Sequence, residues 1–491
     1  MQRKFLTNLG LLLFLNLLIK PFWIFGIDRT VQNTVGVEDY GFYFVVFNFS
    51  FLFNILLDLG ITNFNSRNIA QHNHLLNKHF SGILVLKFLL GIFYLLVTFL
   101  VALIMGYSGD QIYLLALLGF NQFLLSFILY LRSNISGLLL FKTDSLLSVL
   151  DRFLMILFCG VLLWGHVTEA PFRIEWFVYC QTAAYLATAL IALLIVIRKS
   201  KFRRLNWHWP FFLMIIKKSM PFALMVLLMT FYNRLDPVML EGILDGSVGN
   251  KQAGIYAHGY RLLDAAAMIS FLFSVLLIPI FSKMIKQKES VEQMLKLSFT
   301  LIITVAVIVA VTSFFYSTEM MQLLYNADIA ESAPVFQLLI LGFVAISTTY
   351  IFGTLLTANG NLKELNIIAA ISLAINLVVN LVLIPRLLAY GSAISSLSTQ
   401  LFAAIAQVIL VQWIFKFRIN YRFLLNLFFF IGGVILLTWL SRQITITIPG
   451  LPAHLAWLSN FTLSLIISFF LAVILRLLHF RSLIDILRRD S

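Results

Sequence analysis

The stretch Phe80-SGILVLKFLLGIFYLLVTFLVALIM-Gly106 runs for 27 residues with a single ionisable side chain, Lys87. A helix needs about 20 mostly apolar residues to cross the hydrocarbon of a bilayer. Lipid offers the backbone no hydrogen-bond partner, so such a stretch must be helical. Working outward, the same pattern recurs at 5–27, 40–63, 111–131, 145–166, 175–197, 218–240, 256–282, 297–317, 333–356, 365–385, 390–415, 423–441 and 455–477. The expected fold class is therefore an all-α integral membrane protein of about fourteen transmembrane helices. Composition agrees. Of 491 residues, 61% are hydrophobic and 11% charged, where soluble proteins carry about 25% charged residues.

The basic head Met1–Lys4 precedes an apolar run too long for the hydrophobic region of a signal peptide, and no small-residue cleavage site follows it. A retained first span is expected. The two cysteines, Cys159 and Cys180, both lie in apolar runs. They read as buried thiols, not as a disulfide framework or a metal motif.

The net charge of +14 follows loop position. One set of loops holds Arg3, Lys4, Arg67, Lys78, Arg132, Lys142, Arg198, Lys199, Lys201, Arg203, Arg204, Lys217, Lys218, Lys283, Lys286, Lys288, Lys296, Lys363, Lys416, Arg418, Arg422, Arg476, Arg481, Arg488 and Arg489. The alternate loops hold only Arg29, Arg173, Lys251, Arg386 and Arg442, beside acids such as Asp28, Glu38, Asp39, Asp110, Glu169, Glu319, Asp328 and Glu331. Positive loops face the cytoplasm, so both termini are expected there and the span count is even. This asymmetry explains the basic excess as topology and removes nucleic acid as a partner. Membrane lipids are the expected surroundings, and the 198–218 loop is a secondary candidate for anionic lipid.

An internal repeat divides the chain. Asp39-Tyr40-Gly41-Phe42-Tyr43 opens span two, and Gln252-Ala253-Gly254-Ile255-Tyr256 opens span eight. Both keep Gly-x-Tyr, at an offset of 213 residues. Span two ends in Ser66-Arg67-Asn68-Ile69-Ala70-Gln71 and span eight in Ser282-Lys283-Met284-Ile285-Lys286-Gln287, a shared Ser-basic-x-Ile-x-Gln. An even number of spans separates the copies, which implies two parallel-related six-helix lobes. The expected organisation is a lobe at 1–200, a basic cytoplasmic linker at 201–217, a second lobe at 218–416, and two further helices with a tail at 417–491.

Ionisable groups at membrane depth cost at least about 2.5–3.5 kcal/mol each on insertion scales, so those retained face a cavity or a partner. Those singled out are Lys20, Asp58, Lys87, Arg234, Asp236, Arg261 and Asp264. Lys87 is close enough to a span end to snorkel to the cytoplasmic interface. Arg261 and Asp264 are three apart on one helix and can pair. Arg234 and Asp236 are two apart and point to different faces, so each needs another partner. Lys20, Arg234 and Arg261 are the candidate cations for a diphosphate head group, which cannot be desolvated unpaired. Asp58, Asp236 and Asp264 are the candidate acids for coupling. Asn376 and Asn380 share a helix face, and Ser395, Ser396 and Thr399 follow in the next span. With Asp236 they form either a Na⁺ site or a polar seam joining helices. No P-loop is present. His72, His74 and His79 read as a solvated loop, not as a metal site.

Val35-Gly36-Val37-Glu38-Asp39-Tyr40-Gly41-Phe42-Tyr43, Leu57-Asp58-Leu59-Gly60-Ile61 and Arg67-Asn68-Ile69-Ala70 resemble the start of the polysaccharide flippases of the multidrug/oligosaccharidyl-lipid/polysaccharide exporter superfamily. Asn233-Arg234-Leu235-Asp236, Ala253-Gly254-Ile255-Tyr256-Ala257, Tyr260-Arg261-Leu262 and Asn380-Leu381-Val382-Leu383-Ile384-Pro385 with Gly391-Ser392-Ala393 resemble the second lobe of that family. The resemblance implies a transporter and not an enzyme. It implies alternating access and an undecaprenyl-diphosphate-linked oligosaccharide carried outward across a bacterial inner membrane for O-antigen, lipopolysaccharide or related surface polysaccharide. It implies no resident cofactor beyond a Na⁺ or H⁺ coupling ion, with a polysaccharide polymerase as neighbour and a monomer as the working unit. Lys20 and Arg261 match cavity cations of the related lipid II flippases. Asp236, Asn376 and Thr399 match their Na⁺ ligands, and Asn380 stands where some relatives carry a second carboxylate. A lipid II flippase and a multidrug–cation antiporter are the alternative readings, the latter opposed by the three candidate cations.

Overall fold

The computed structural model describes residues 11, 14–16, 18–62, 65, 69, 75–138, 140–165, 170–200, 207–244, 246–417, 420–444, 455–475 and 477. Every regular element among them is helical. A π-helical turn, Trp23–Asp28, leads into α1 (Arg29–Val35); α2 (Val37–Leu52), α3 (Leu75–Ile104), α4 (Gly109–Gly137), α5 (Phe141–Trp164), α6 (Ile174–Lys199) and α7 (Trp209–Ile243) follow. Then come α8 (Gly246–Lys286), α9 (Glu292–Phe315), the short α10 (Ser317–Leu324), α11 (Ile329–Asn359), α12 (Leu362–Phe415), α13 (Tyr421–Gln443) and α14 (Trp457–Ile474).

Ten of the described helices, α3–α7, α9 and α11–α14, are long and apolar enough to cross a membrane. The 54-residue α12 supplies two spans, because Leu388 (φ 55°, ψ −136°) breaks it. Ser395 Oγ donates to the Asn376 carbonyl (2.9 Å), so the two arms fold back on each other. The helix ending in α1, with α2 and α8, takes the places of the first, second and eighth expected spans. The chain is a multi-pass membrane protein.

Four expectations need correction. The first helix does not end at 27 but runs on through α1. Asp28 is placed inside it, where its buried carboxylate accepts from Tyr40 Oη (2.9 Å) and Gln32 Nε2 (3.0 Å). Span two is not one helix, because α2 stops at Leu52. A 3₁₀ turn, Asn54–Leu57, follows, and then a reversal with positive φ at Leu59 (45°) and Gly60 (79°). Lys87 does not snorkel; it is 1% exposed and paired with Asp58. The second half of the expected linker is already helix, since α7 opens at Trp209 with His208 accepting at its N-cap and a proline in its first turn. Residues 66–68, 70–74, 201–206, Arg3, Lys4, Arg418 and the tail arginines lie outside the described residues. The first copy of the trailing repeat motif, apart from Ile69, and His72 and His74 go with them.

The contacts divide the chain into two compact units, Met1–Gly254 and Ile255–Ser491. In the first, α2 is buried on nearly every face, through Tyr40, Tyr43, Phe44, Val45, Val46, Phe49 and Leu52. Phe177 of α6 stacks on Trp23 (5.7 Å) and meets Tyr43 edge-on (5.3 Å). The repeat glycines allow α2 to approach the start of α8. A Cβ on Gly41 would lie 1.8 Å from the Asn250 carbonyl, and one on Gly254 would lie 2.1 Å from that of Val37. Small residues at such crossings are the usual way helices associate where lipid removes the hydrophobic drive.

In the second unit, α9, α13 and α14 share an apolar core of Val307, Val311, Phe430, Val434 and Ala472. Hydroxyl pairs join α8 to α11: Ser270 with Ser347 (2.8 Å) and Ser274 with Thr354 (2.6 Å). Each such bond contributes roughly 0.6 kcal/mol in a membrane.

Candidate functional site

In the first unit, cations gather where the first helix meets α5. Asn16 Nδ2 donates to Ser148 Oγ (3.1 Å), which fixes the first helix against α5. Lys20, half-buried, lies in the electrostatic field of Arg152, Asp151 and Arg132. The Arg152 guanidinium sits over the rings of Trp23 (5.6 Å) and Tyr185 (5.8 Å), with its Nε 3.7 Å from Asp151. Arg132 Nε is bonded to Asp144 (2.8 Å). The guanidinium is held on these aromatic faces, its Nη1 donates to Met155 Sδ (3.3 Å), and 26% of the side chain stays exposed.

Arg152 and Asp151 were missed by the sequence reading. They stand inside the expected span 145–166, so the cost argument that selected Lys20 applied equally to them.

Arg234 lies over Phe51 (5.1 Å) and is half-buried; Asp236 is 1% exposed. Asp58 is engaged by Lys87 and closes the helix that follows it, through Thr62. Its role in the structure is that of an ion-pair partner.

In the second unit, Arg261 and Asp264 are both half-buried on α8. One turn before them His258, another residue the sequence reading passed over, is buried, shares a proton with Ser332 Oγ (2.9 Å) and stacks on Tyr325 (3.9 Å). The α12 hairpin gathers the neutral groups. Asn380 Nδ2 donates to Asn376 Oδ1 (3.3 Å), and Ser392 Oγ donates to Asn380 Oδ1 (3.0 Å). Asn376 Nδ2 donates to Ser395 Oγ (3.4 Å). Thr399 Oγ1 is buried there without a hydrogen-bond partner. The structure thus brings Asn376 and Asn380 together with Ser392 and Ser395, as a satisfied seam of neutral polar groups; Asp236 belongs to the other unit. Among the described residues no three His, Cys, Asp or Glu side chains come together as metal ligands. His79 instead packs against Phe211 (4.9 Å).

Residues 10–285 match the family described as polysaccharide biosynthesis protein. The chain belongs to that family. Its fold is shared with solved membrane transporters. The lipid II flippase MurJ, in an inward closed conformation, is 14% identical with a TM-score of 0.67, over 96% of this chain and 100% of that one. An inward-facing multidrug resistance MATE transporter of the MOP superfamily is 14% identical with a TM-score of 0.58, over 83% and 99%. A MOP superfamily transporter from Pyrococcus furiosus, described as having a binding pocket of reverse polarity, is 13% identical with a TM-score of 0.56, over 83% and 93%. A search of curated proteins finds no match. At these identities the likeness shows the fold of this polysaccharide biosynthesis family member, and its fold is that of transporters.

Proposed function

We propose that this member of the polysaccharide biosynthesis family flips an undecaprenyl-diphosphate-linked oligosaccharide from the inner to the outer leaflet of a bacterial cytoplasmic membrane, by alternating access. The observation that supports this most is the Lys20–Arg152 cluster: two cations at membrane depth, one held on two aromatic rings. A diphosphate can enter a membrane interior only against such groups. Arg234 and Arg261 are the further cations in this reading. The membrane potential favours the direction, since each negative charge moved outward gains about 2.3 kcal/mol per 100 mV. A Na⁺ or H⁺ taken inward through Asp236, with Asn376, Asn380 and Thr399, adds to the drive. The cytoplasmic termini follow from the charge asymmetry, and the two six-span lobes follow from the repeat. A polymerase receives the flipped units.

The second reading is a lipid II flippase, favoured by the likeness to MurJ. Depletion of the protein in its host, with extraction of lipid-linked glycans, separates the two. Survival with loss of one surface glycan and accumulation of its undecaprenyl-linked unit supports the first. Lysis with accumulated lipid II supports the second. Unchanged glycans contradict both.

A further inference from the structure

The break in span two exposes backbone at membrane depth. After the 3₁₀ turn Asn54–Leu57, the positive φ at Leu59 and Gly60 prevents the Leu57 carbonyl from meeting a helical partner further along. Such a carbonyl needs another donor. Lys87 of α3 provides it. Its Nζ donates to the Leu57 carbonyl (3.0 Å), to Ser126 Oγ of α4 (3.1 Å) and to Asp58 Oδ1. Three acceptors meet the three N–H groups of one ammonium.

Ser126 Oγ also donates to the Leu57 carbonyl (3.2 Å), and the other oxygen of Asp58 accepts from the Thr62 amide (3.3 Å). Among the described residues no other ionisable side chain touches Asp58 or Lys87. The shell consists of one carboxylate, one hydroxyl and one carbonyl freed at a helix break. This is the oxygen set that hard cations take, at the kind of helix interruption where transporters hold coupling ions.

We propose that the Lys87 ammonium is a tethered monovalent cation occupying an alkali-ion-type site, and that shortening its side chain leaves a site that takes free Na⁺. The tether makes the site permanently filled, so the wild-type first unit needs no dissolved cation to hold its broken span together. An ordinary buried ion pair makes a different prediction, because its vacancy binds no stoichiometric sodium and the lone Asp58 carboxyl takes up a proton instead.

The test uses full-length protein in detergent micelles, melted in sodium, ammonium or choline chloride at equal ionic strength. Wild type sets the reference shift between the salts, sodium bound at the Asp236 site included. Lys87→Ala melts lower in choline, and its recovery in sodium or ammonium exceeds the wild-type shift by about 3 °C or more. It also binds about one more radiolabelled sodium per chain than wild type does. Adding Asp58→Asn to that variant abolishes both responses. Lys87→Ser, which adds a hydroxyl beside that of Ser126, serves where the alanine variant is recovered poorly. Alanine and serine variants that shift no more than wild type between the salts, or that gain no sodium over wild type, overturn the proposal.

Discussion

Two polar islands sit at membrane depth in this protein, and they are built on opposite terms. In the first unit the island is charged: Lys87 and Asp58 at a broken helix, with Ser126 and Thr62 around them. In the second it is neutral: Asn376, Asn380, Ser392 and Ser395 across the α12 hairpin. A charged pair holds only while both partners stay, because removing one leaves an uncompensated ion. A neutral seam loses one modest bond at a time. One unit therefore holds a brittle junction and the other a tolerant one.

That contrast can be broken in a graded way. The largest loss is expected for Lys87→Met, about 3–5 kcal/mol, with most of it recovered when Asp58→Asn is added; thermal unfolding in micelles measures both. A double variant no better than the single one would show that the pair holds nothing together. Asn376→Ala strips partners from both Asn380 and Ser395 and should cost about 1–3 kcal/mol. Ser392→Ala removes one donor and should cost about 0.5–1.5 kcal/mol. The smallest effect belongs to Thr399→Val. Its hydroxyl has no protein partner, so stability should stay within about 0.5 kcal/mol. If Thr399 is a Na⁺ ligand, the same variant weakens the sodium dependence of transport. Asparagine losses as large as that of Lys87→Met would erase the distinction between the islands.

Spans were the part of this fold that the sequence displayed openly, since an apolar run of the required length has one solution in lipid. The repeat glycines were legible too, and Gly41 and Gly254 prove to be places where two backbones nearly touch. Local breaks were hidden. Hydropathy averages over the Asn54–Gly60 reversal, and the pairing that makes it tolerable comes from Lys87, nearly thirty residues on. Snorkelling was the wrong expectation for Lys87 because it considered the residue's own helix and not its neighbours. Arg152 stands beside Asp151 in sequence, and nothing there shows that in space its guanidinium rests on Trp23 and Tyr185, which come from other helices.

The central claim is that the chain moves a diphosphate-linked glycan between leaflets using its membrane-depth cations. The most direct test is flipping of an undecaprenyl-diphosphate oligosaccharide in vesicles holding the purified protein, with wild type and Arg152→Ala compared at equal incorporation. Wild type should bring the lipid-linked glycan to the far leaflet and Arg152→Ala should slow it tenfold or more, the cost of about 1.4 kcal/mol or greater in lost anion contact. Equal rates for the two proteins, or no flipping above protein-free vesicles, would contradict the account.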